Sequence, residues 1–204
     1  MSNRCKKLPM PDFLCQPEFM ADISPALKRP TIRPALVEDA AAIAAIYADH
    51  VRSGTASFDT VPRTADEIGQ KILEIHAKGW PFLVAERGGE ILGYAYVSQF
   101  RDRSAYRFAC ENSIYVRDDC IGQGVGTLLL RTLVDAATAS GFRQMIAVVG
   151  GGEQASVALH AKLGFSHAGR MRSVGRKFGR WLDTVYMQLE LGEGDRAPPD
   201  DEPA

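Results

Sequence analysis

The sequence predicts a mixed α/β (α+β) fold, in which a mostly antiparallel central sheet is flanked by helices. Three observations lead to this class: apolar residues at helical spacing in the first third, two apolar runs joined by Arg87-Gly88-Gly89, and a later succession of strand, helix and strand. The chain has 204 residues, of which 46% are hydrophobic and 24% are charged, so it can bury a sizeable core. We therefore expect one domain, spanning residues 29–191.

Two helices are predicted in the first half of this domain. Apolar residues from Val37 to Val51 recur at helical spacing, and acidic residues stand at the start of that segment, where a helix N-terminus favours negative charge. Thr64 and Glu67 have the spacing of a capping box, and the apolar stripe behind them ends near Gly79. The two stripes consist of Ile43, Ile46, Tyr47, Val51, Ile68, Ile72 and Ile75.

Shorter apolar runs predict the strands and the later helices. Pro81–Glu86 and Glu90–Gln99 flank the paired glycines and predict an antiparallel hairpin. Leucines at helical spacing predict a helix at Thr127–Ser140, which ends at Gly141. The remaining predicted elements are a helix at 155–163 and strands at 31–33, 110–116, 145–149 and 184–191.

The two ends of the chain differ in composition from the domain. Residues 1–28 are rich in proline and have no regular apolar period, so we expect a loosely ordered arm. Residues 192–204 are acidic and contain proline, which predicts a disordered tail.

The overall charge excludes some classes of partner. With 24 basic and 25 acidic residues the net charge is −1, which provides no general field for nucleic acid or an anionic membrane. The basic run at residues 170–180 is too short to change this expectation. No segment approaches the ~20 apolar residues that span a bilayer. We therefore expect neither a nucleic acid nor a membrane partner.

The cysteines predict a reducing environment. They form no C-x-x-C pair and have no histidine partners at metal-site spacing, which argues against a zinc site and against a disulfide framework. We expect no metal and a cytoplasmic location. The four residues are Cys5, Cys15, Cys110 and Cys120.

A glycine-rich turn, residues 121–126 (IGQGVG), lies between a predicted strand and a predicted helix. This setting directs backbone N–H groups and a positive helix end to one point, which suits a pyrophosphate. A Walker A motif would require lysine after the last glycine, where this chain has Thr127, and the dinucleotide fingerprint requires another glycine spacing near the start of a parallel sheet. A turn that only joins a strand to a helix is the alternative interpretation.

Two separated segments resemble a known superfamily. Residues 113–130 (SIYVRDDCIGQGVGTLLL) resemble the acetyl-CoA-binding signature of the GNAT superfamily of N-acetyltransferases, and residues 156–165 (SVALHAKLGF) resemble its later helix-to-strand segment. Ile121 stands where the superfamily pattern has Arg or Gln, and Glu153 where many relatives have Asn. More narrowly, the chain resembles phosphinothricin and methionine sulfoximine N-acetyltransferases at residues 31–35, 55–58, 110–116 and 177–183.

The resemblance implies the GNAT fold and an enzyme that uses acetyl-CoA as the acetyl donor. Backbone N–H groups around Tyr115 and Val116 are expected to stabilise the oxyanion that develops during acetyl transfer. The implied cofactor-binding residues are Tyr115, Val116, Ile121, Gly122, Gln123, Gly124, Val125, Gly126, Thr127 and Ser156.

Two titratable residues are the predicted catalytic groups. Glu111 matches the glutamate that acts as the general base in the resembled enzymes, and the alternative is a surface carboxylate paired with Arg107. His160 lies where relatives have a tyrosine or histidine near the sulfur of the cofactor, and its ordinary pKa near 6.5 suits proton donation or relay. The alternative for His160 is a helix histidine packed beside Phe165.

The acceptor is expected to be a small amino-acid-like amine, such as phosphinothricin or methionine sulfoximine. Arg101, Arg103 and Tyr106 are predicted to hold its acidic end, because arginine pairs with carboxylates and phosphinates through two parallel hydrogen bonds. Phe58 is predicted to cover its side chain or to belong to the core. Alternatives are another amine, such as a polyamine or a protein N-terminus, and a non-catalytic CoA-binding module. The resemblance also implies a homodimer.

Overall fold

The computed structural model describes residues 29–199 of the chain. The predicted N-terminal arm, residues 1–28, and residues 200–204 lie outside the described part. The strands are β1 (Thr31–Pro34), β2 (Phe82–Arg87), β3 (Glu90–Gln99), β4 (Ala109–Val116), β5 (Gln144–Gly150), β6 (Ser166–Lys177) and β7 (Arg180–Glu190). The α-helices are α1 (Ala40–Ser53), α2 (Ala65–Ala77), α3 (Val125–Ala139) and α4 (Gln154–Lys162).

The seven strands form one sheet in the order β1-β2-β3-β4-β5-β7-β6. Neighbouring strands are antiparallel except for β4 and β5, which are parallel and are joined by the crossover helix α3. The predicted class, a mostly antiparallel sheet with flanking helices and one strand, helix and strand crossover, is confirmed.

Side chains alternate along the strands and supply two hydrophobic cores. On β2, Leu83 and Ala85 pack with the apolar face of α3, whereas Phe82 and Val84 pack with α1 and α2. The apolar stripes predicted for α1 and α2 are buried in the second core. Helices on both faces therefore leave the middle of the sheet fully covered.

Helix starts follow local hydrogen bonds. Thr64 caps α2, because its hydroxyl accepts from the N–H of Glu67 at 3.2 Å while the Glu67 carboxylate accepts from the N–H of Thr64 at 2.7 Å. The first helix was expected from Val37, but residues 37–39 form a 3₁₀ turn and α1 begins at Ala40. Asp39 ends that turn, and its carboxylate pairs with Arg33 at 2.7 Å.

The largest difference from the sequence-based expectation is strand β6. The sequence predicts a last strand at 184–191 and no strand at 166–177, whereas β6 spans Ser166–Lys177 and β7 already begins at Arg180. β6 lies at the sheet edge with most side chains exposed, so it has no apolar alternation. Its turn, Phe178-Gly179, has positive φ at both residues, as in a type I′ hairpin, without the usual Asn-Gly signal.

The hairpin also accounts for the basic run. Arg170 pairs with Asp183 on β7, Arg176 lies over the Trp181 ring, and Lys177 is buried. These three basic residues of the run thus have separate surroundings and do not form one charged surface.

The predicted tail lies partly within the described residues. Residues 192–199 form turns after β7, and the Arg196 guanidinium lies 3.6 Å from the Glu190 carboxylate. In the described range, 29–199, no helix is both long and apolar enough to cross a membrane.

Candidate active site

The site lies where β4 and β5 separate. Their parallel register ends at Asn112↔Ala147, although the strands continue to Val116 and Gly150. A larger cavity of about 610 Å³ and a smaller one of about 250 Å³ open along the separated halves. The two cavities meet, because both are lined by Ala56, Ile114, Tyr115 and Ser156.

Backbone N–H groups of β4 point into this gap. Along the strand, successive N–H groups alternate between the two neighbouring strands. The N–H of Arg117 donates to Leu92 on the β3 side at 2.8 Å. The N–H of Tyr115 therefore also faces β3, whereas those of Ile114 and Val116 face the gap. Among the predicted donors around Tyr115 and Val116, the N–H groups that face the gap are thus those of Ile114 and Val116.

The glycine-rich turn forms one end of the larger cavity. Gly122 and Gly124 have φ angles of +79° and +83°, in the left-handed region that favours glycine. α3 begins directly after them, and its N–H at Leu128 donates to the carbonyl of Gly124 at 3.1 Å. The earlier N–H groups of the first turn lack acceptors within the helix and lie at its positive end, which suits a phosphate.

Most of the predicted cofactor residues line this larger cavity. They are Tyr115, Val116, Ile121, Gly122, Gly124, Gly126, Thr127 and Ser156. Gln123 and Val125 do not: the Gln123 amide donates to the Asp119 carbonyl at 2.7 Å, and the Val125 side chain is in the core. The turn directs these two side chains away from the cavity, so their predicted part in cofactor binding would depend on backbone N–H groups.

Three further side chains line the larger cavity, and two of them, Lys162 and His50, were not predicted. Lys162, at the end of α4, adds a cation to its wall. His50 also lines it and donates from Nε2 to the carbonyl of Val116 at 2.8 Å. Glu153, a carboxylate at the start of α4, accepts from the Thr55 hydroxyl at 2.5 Å. His50 stands alone in an ordinary helical pattern, whereas Lys162 lies in the segment 156–165 that resembles the superfamily but was given no role there.

Glu111 lies in the wall of the smaller cavity and is partly buried. Burial raises the pKa of its carboxyl above the ordinary value, and the charge of Arg101 opposes that rise. A raised pKa brings a carboxylate nearer to neutral pH, where it can accept a proton from an amine. Arg107, its suggested surface partner, lies over the Phe108 ring and donates to the Ser104 carbonyl.

The predicted acceptor-binding arginines lie outside the cavity walls. Arg101 stacks on the Phe100 ring at 4.5 Å, and among the three predicted residues its charge is the one that acts on Glu111. Arg103 and Tyr106 lie on an exposed 3₁₀ turn and its edge. The structure thus does not bring these side chains together with Glu111 in one cavity.

The segment between α1 and α2 supplies polar groups to the smaller cavity instead. Asp59 and Arg63 line it together with the predicted Phe58. The Tyr47 hydroxyl donates to Asp59 at 2.5 Å and lies 3.0 Å from the Ser57 hydroxyl. These residues are brought to the site by tertiary contacts, and the resemblance at residues 55–58 was the only signal for them.

His160 is held on both sides of its ring. Nδ1 lies 2.7 Å from the Ser156 carbonyl, so Nδ1 carries a proton and donates it. Nε2 lies 2.9 Å from the amide nitrogen of Asn112, which donates to the Nε2 lone pair. Burial lowers the pKa of the ring, so the neutral form is favoured. The Phe165 ring packs against it at 4.9 Å, as the alternative interpretation expected.

The buried neutral His160 predicts a dependence of stability on pH. Its folded-state pKa lies below the ordinary value of 6.5, so the unfolded chain binds more protons once the pH falls below 6.5. We expect the free energy of unfolding to fall by up to about 1.4 kcal/mol per pH unit there. Urea titrations at pH 6.5 and 5.5 would measure the fall, which should shrink in His160→Gln and persist in His76→Gln, a change at an exposed helix end.

Comparison with known proteins gives consistent matches. The family described as Acetyltransferase (GNAT) domain matches residues 32–186. A phosphinothricin N-acetyltransferase from Alcaligenes faecalis is 51% identical over 171 residues, which cover 83% of this chain and 87% of that protein. An L-methionine sulfoximine/L-methionine sulfone acetyltransferase from Pseudomonas aeruginosa is 42% identical over 170 residues, covering 82% and 98%.

A solved structure is also similar. The crystal structure of a GNAT superfamily phosphinothricin acetyltransferase from Sinorhizobium meliloti, in complex with AcCoA, has a TM-score of 0.83 and 44% identity. The match covers 85% of this chain and 95% of that one. Sequence and fold therefore agree over most of both chains.

Proposed function

Because the chain belongs to the GNAT acetyltransferase family, we propose that it transfers the acetyl group of acetyl-CoA to the amine of a small amino-acid-like compound. The position of Glu111 carries this proposal. Its partly buried carboxylate, with a raised pKa, lines the smaller cavity, which shares four lining residues with the larger one. Phosphinothricin and methionine sulfoximine, on which the named relatives act, are the proposed acceptors.

The larger cavity fits the donor. The first-turn N–H groups of α3 and the ammonium of Lys162 provide positive potential for phosphates. The gap between β4 and β5 offers the N–H groups of Ile114 and Val116 along the way to the smaller cavity. When bound, acetyl-CoA supplies the activated acetyl group.

The residues of the smaller cavity have separate roles in transfer. Glu111 accepts a proton from the protonated amine, directly or through a water, so that the nitrogen lone pair becomes available. The N–H groups of Ile114 and Val116 donate to the acetyl oxygen as negative charge develops there. His160 lines the same cavity as a neutral ring, whose Nε2 is available for proton relay once Asn112 releases it.

Both positively and negatively charged side chains recognise the acceptor. Arg63 in the wall and Arg101 near Glu111 provide positive charge for an acidic end, while Asp59 and Glu111 attract an ammonium group. Phe58 covers the side chain of the acceptor. A volume of about 250 Å³ suits an amino acid better than a longer amine.

One assay tests the proposed function. Thiol release from acetyl-CoA is followed with phosphinothricin, methionine sulfoximine, standard amino acids, a polyamine and a peptide N-terminus. We expect turnover with the two amino-acid analogues and little with the polyamine. Turnover only with the polyamine or the peptide would show that the acceptor is not an amino-acid-like compound. No turnover with any amine would refute acetyl transfer to amines.

We further propose a homodimer formed through the β6–β7 hairpin. This hairpin lies at the sheet edge and exposes four large apolar side chains, an arrangement typical of a contact surface. Thr184 and Gly175 of the hairpin also adjoin the smaller cavity and its Phe58, so a second copy would lie near the acceptor. The exposed residues are Met171, Val174, Phe178 and Trp181.

A charge at the hairpin should disrupt that contact. Trp181 is 61% exposed, so Trp181→Glu is expected to shift the mass measured by light scattering from a dimer to a monomer without unfolding the chain. Leu73→Glu, on the exposed face of α2, is the matched control and should leave the mass unchanged. A wild-type chain that runs as a monomer at micromolar concentration would contradict the dimer.

We also propose a cytoplasmic location, supported by the free, buried thiols of Cys110 and Cys120 and by the use of a CoA thioester. Fractionation of the producing cells tests this proposal. Recovery of the protein outside the cytoplasm would refute it.

A further inference from the structure

Lys177, the last residue of β6, has a buried ammonium group that acetyl transfer does not use. The residue is only 6% exposed. Its Nζ donates to the carbonyl of Gly54 at 2.9 Å and to the carbonyl of Ser57 at 2.7 Å. A lysine 123 and 120 positions away in sequence thus binds two points of one short segment.

That segment, residues 54–59, is here called the acceptor segment. It follows α1 and contributes Ala56, Ser57, Phe58 and Asp59 to the wall of the smaller cavity. It has no regular secondary structure, so repeating backbone hydrogen bonds do not fix its conformation. Its shape therefore depends on individual tertiary contacts.

Contacts to side chains also hold the acceptor segment. Thr55 donates to Glu153, and Tyr47 binds Ser57 and Asp59. The Phe58 ring packs directly on Gly175, where any side chain would overlap it. Lys177 differs from these contacts because it binds the backbone of the segment rather than its side chains.

Burial of an ammonium group is costly unless its protons are hydrogen-bonded. Burial lowers the pKa of Lys177, and the charge of Asp59 opposes the change. A carbonyl also gains more from a charged donor than from a neutral one. Lys177 can therefore order the two loop carbonyls in a way that an apolar residue of the same length cannot.

We propose that Lys177 is a positioning residue for the acceptor site, which fixes residues 54–59 so that Phe58 and Asp59 stay in the wall of the cavity that Glu111 also lines. It acts through the acceptor segment and not on the reacting atoms. The proposal rests on the proposed function for its effect on the acceptor, while its effect on the segment is independent of turnover.

Lys177→Met keeps most of the side-chain length and removes the three donors. We expect amide hydrogen exchange within residues 54–59 to speed up by at least about tenfold, because two ordering hydrogen bonds are lost. We expect the KM of the acceptor to rise by about ten- to a hundredfold, with the KM of acetyl-CoA changed by less than about threefold. Lys78→Met, at the exposed end of α2, is the control and should change none of these quantities.

Several results would overturn the proposal. One is unchanged exchange in residues 54–59, and another is an equal rise in both KM values, which indicates a general structural role. If Lys177→Met does not fold, Lys177→Arg is the second variant, because it keeps charged donors on a longer side chain. We then expect a smaller rise in the KM of the acceptor, again with little change in the KM of acetyl-CoA. A wild-type protein that acetylates no amine would refute the proposed function, while the exchange measurement would still decide whether Lys177 fixes the segment.

Discussion

Replacing Glu111 with glutamine is expected to lower kcat/KM for the amine by about 10²- to 10⁴-fold near neutral pH, while acetyl-CoA binding is kept. The amide has nearly the same shape as the carboxyl group but cannot accept a proton. The acceptor ammonium then has to lose its proton to solvent before it attacks. The loss should fall on the transfer step, because Glu111 lies in the smaller cavity and not along the glycine turn.

The pH profile provides a sharper form of this prediction. Burial raises the pKa of Glu111, so activity should fall as the pH decreases through a value above the ordinary carboxyl pKa of 4.5. That acidic limb should be absent in Glu111→Gln, whose residual activity should rise with pH as the free amine becomes more abundant. Thiol release measured from pH 5 to 9 tests both statements.

The matched control is Glu74→Gln, the same change on the exposed face of α2. It should leave both the rate and the profile unchanged. Undiminished turnover in Glu111→Gln near neutral pH would remove Glu111 from the role of base while leaving acetyl transfer itself intact.

Adding a single methyl group at Gly93 is the second change with a large expected effect. Gly93 lies on β3 opposite Val116 of β4. A Cβ atom there would stand 2.7 Å from the Tyr115 carbonyl oxygen and 3.1 Å from the Val116 Cα. Both are backbone atoms, so the clash can be relieved only by moving β3 and β4 apart, and β4 carries the N–H groups that face the gap.

We expect Gly93→Ala to lower the free energy of unfolding by about 1–3 kcal/mol, in the range of overpacked cores. Acetyl-CoA affinity should fall as well, because the displaced strand shifts the donors at Ile114 and Val116. Urea denaturation and calorimetric titration with acetyl-CoA measure the two effects. Gly169→Ala on β6, where the added Cβ would have no neighbour within 4 Å, is the control, and equal stability of the two variants would contradict the steric argument.

The sequence was a good guide wherever local pattern determines structure. Helical spacing predicted α1 and α2, and the Thr64 capping box is present in the structure as expected. The hairpin of β2 and β3 and the crossover through α3 were also predicted, because glycines mark the ends of those elements. β6 was not predicted, since an exposed edge strand needs no apolar period and its Phe178-Gly179 turn lacks a common signal.

For the site, the sequence by itself determined the family, the donor and the strand that carries Glu111, because those depend on short contiguous motifs. Tertiary structure alone decided that the N–H groups of Ile114 and Val116 both face the gap, since the direction of an N–H group depends on which strand lies beside it. It also decided that Asp59 and Arg63, rather than Arg103 and Tyr106, line the smaller cavity. The physical reason is that an irregular segment takes its position from distant partners, and the Lys177 partner of residues 54–59 is not marked by any local pattern.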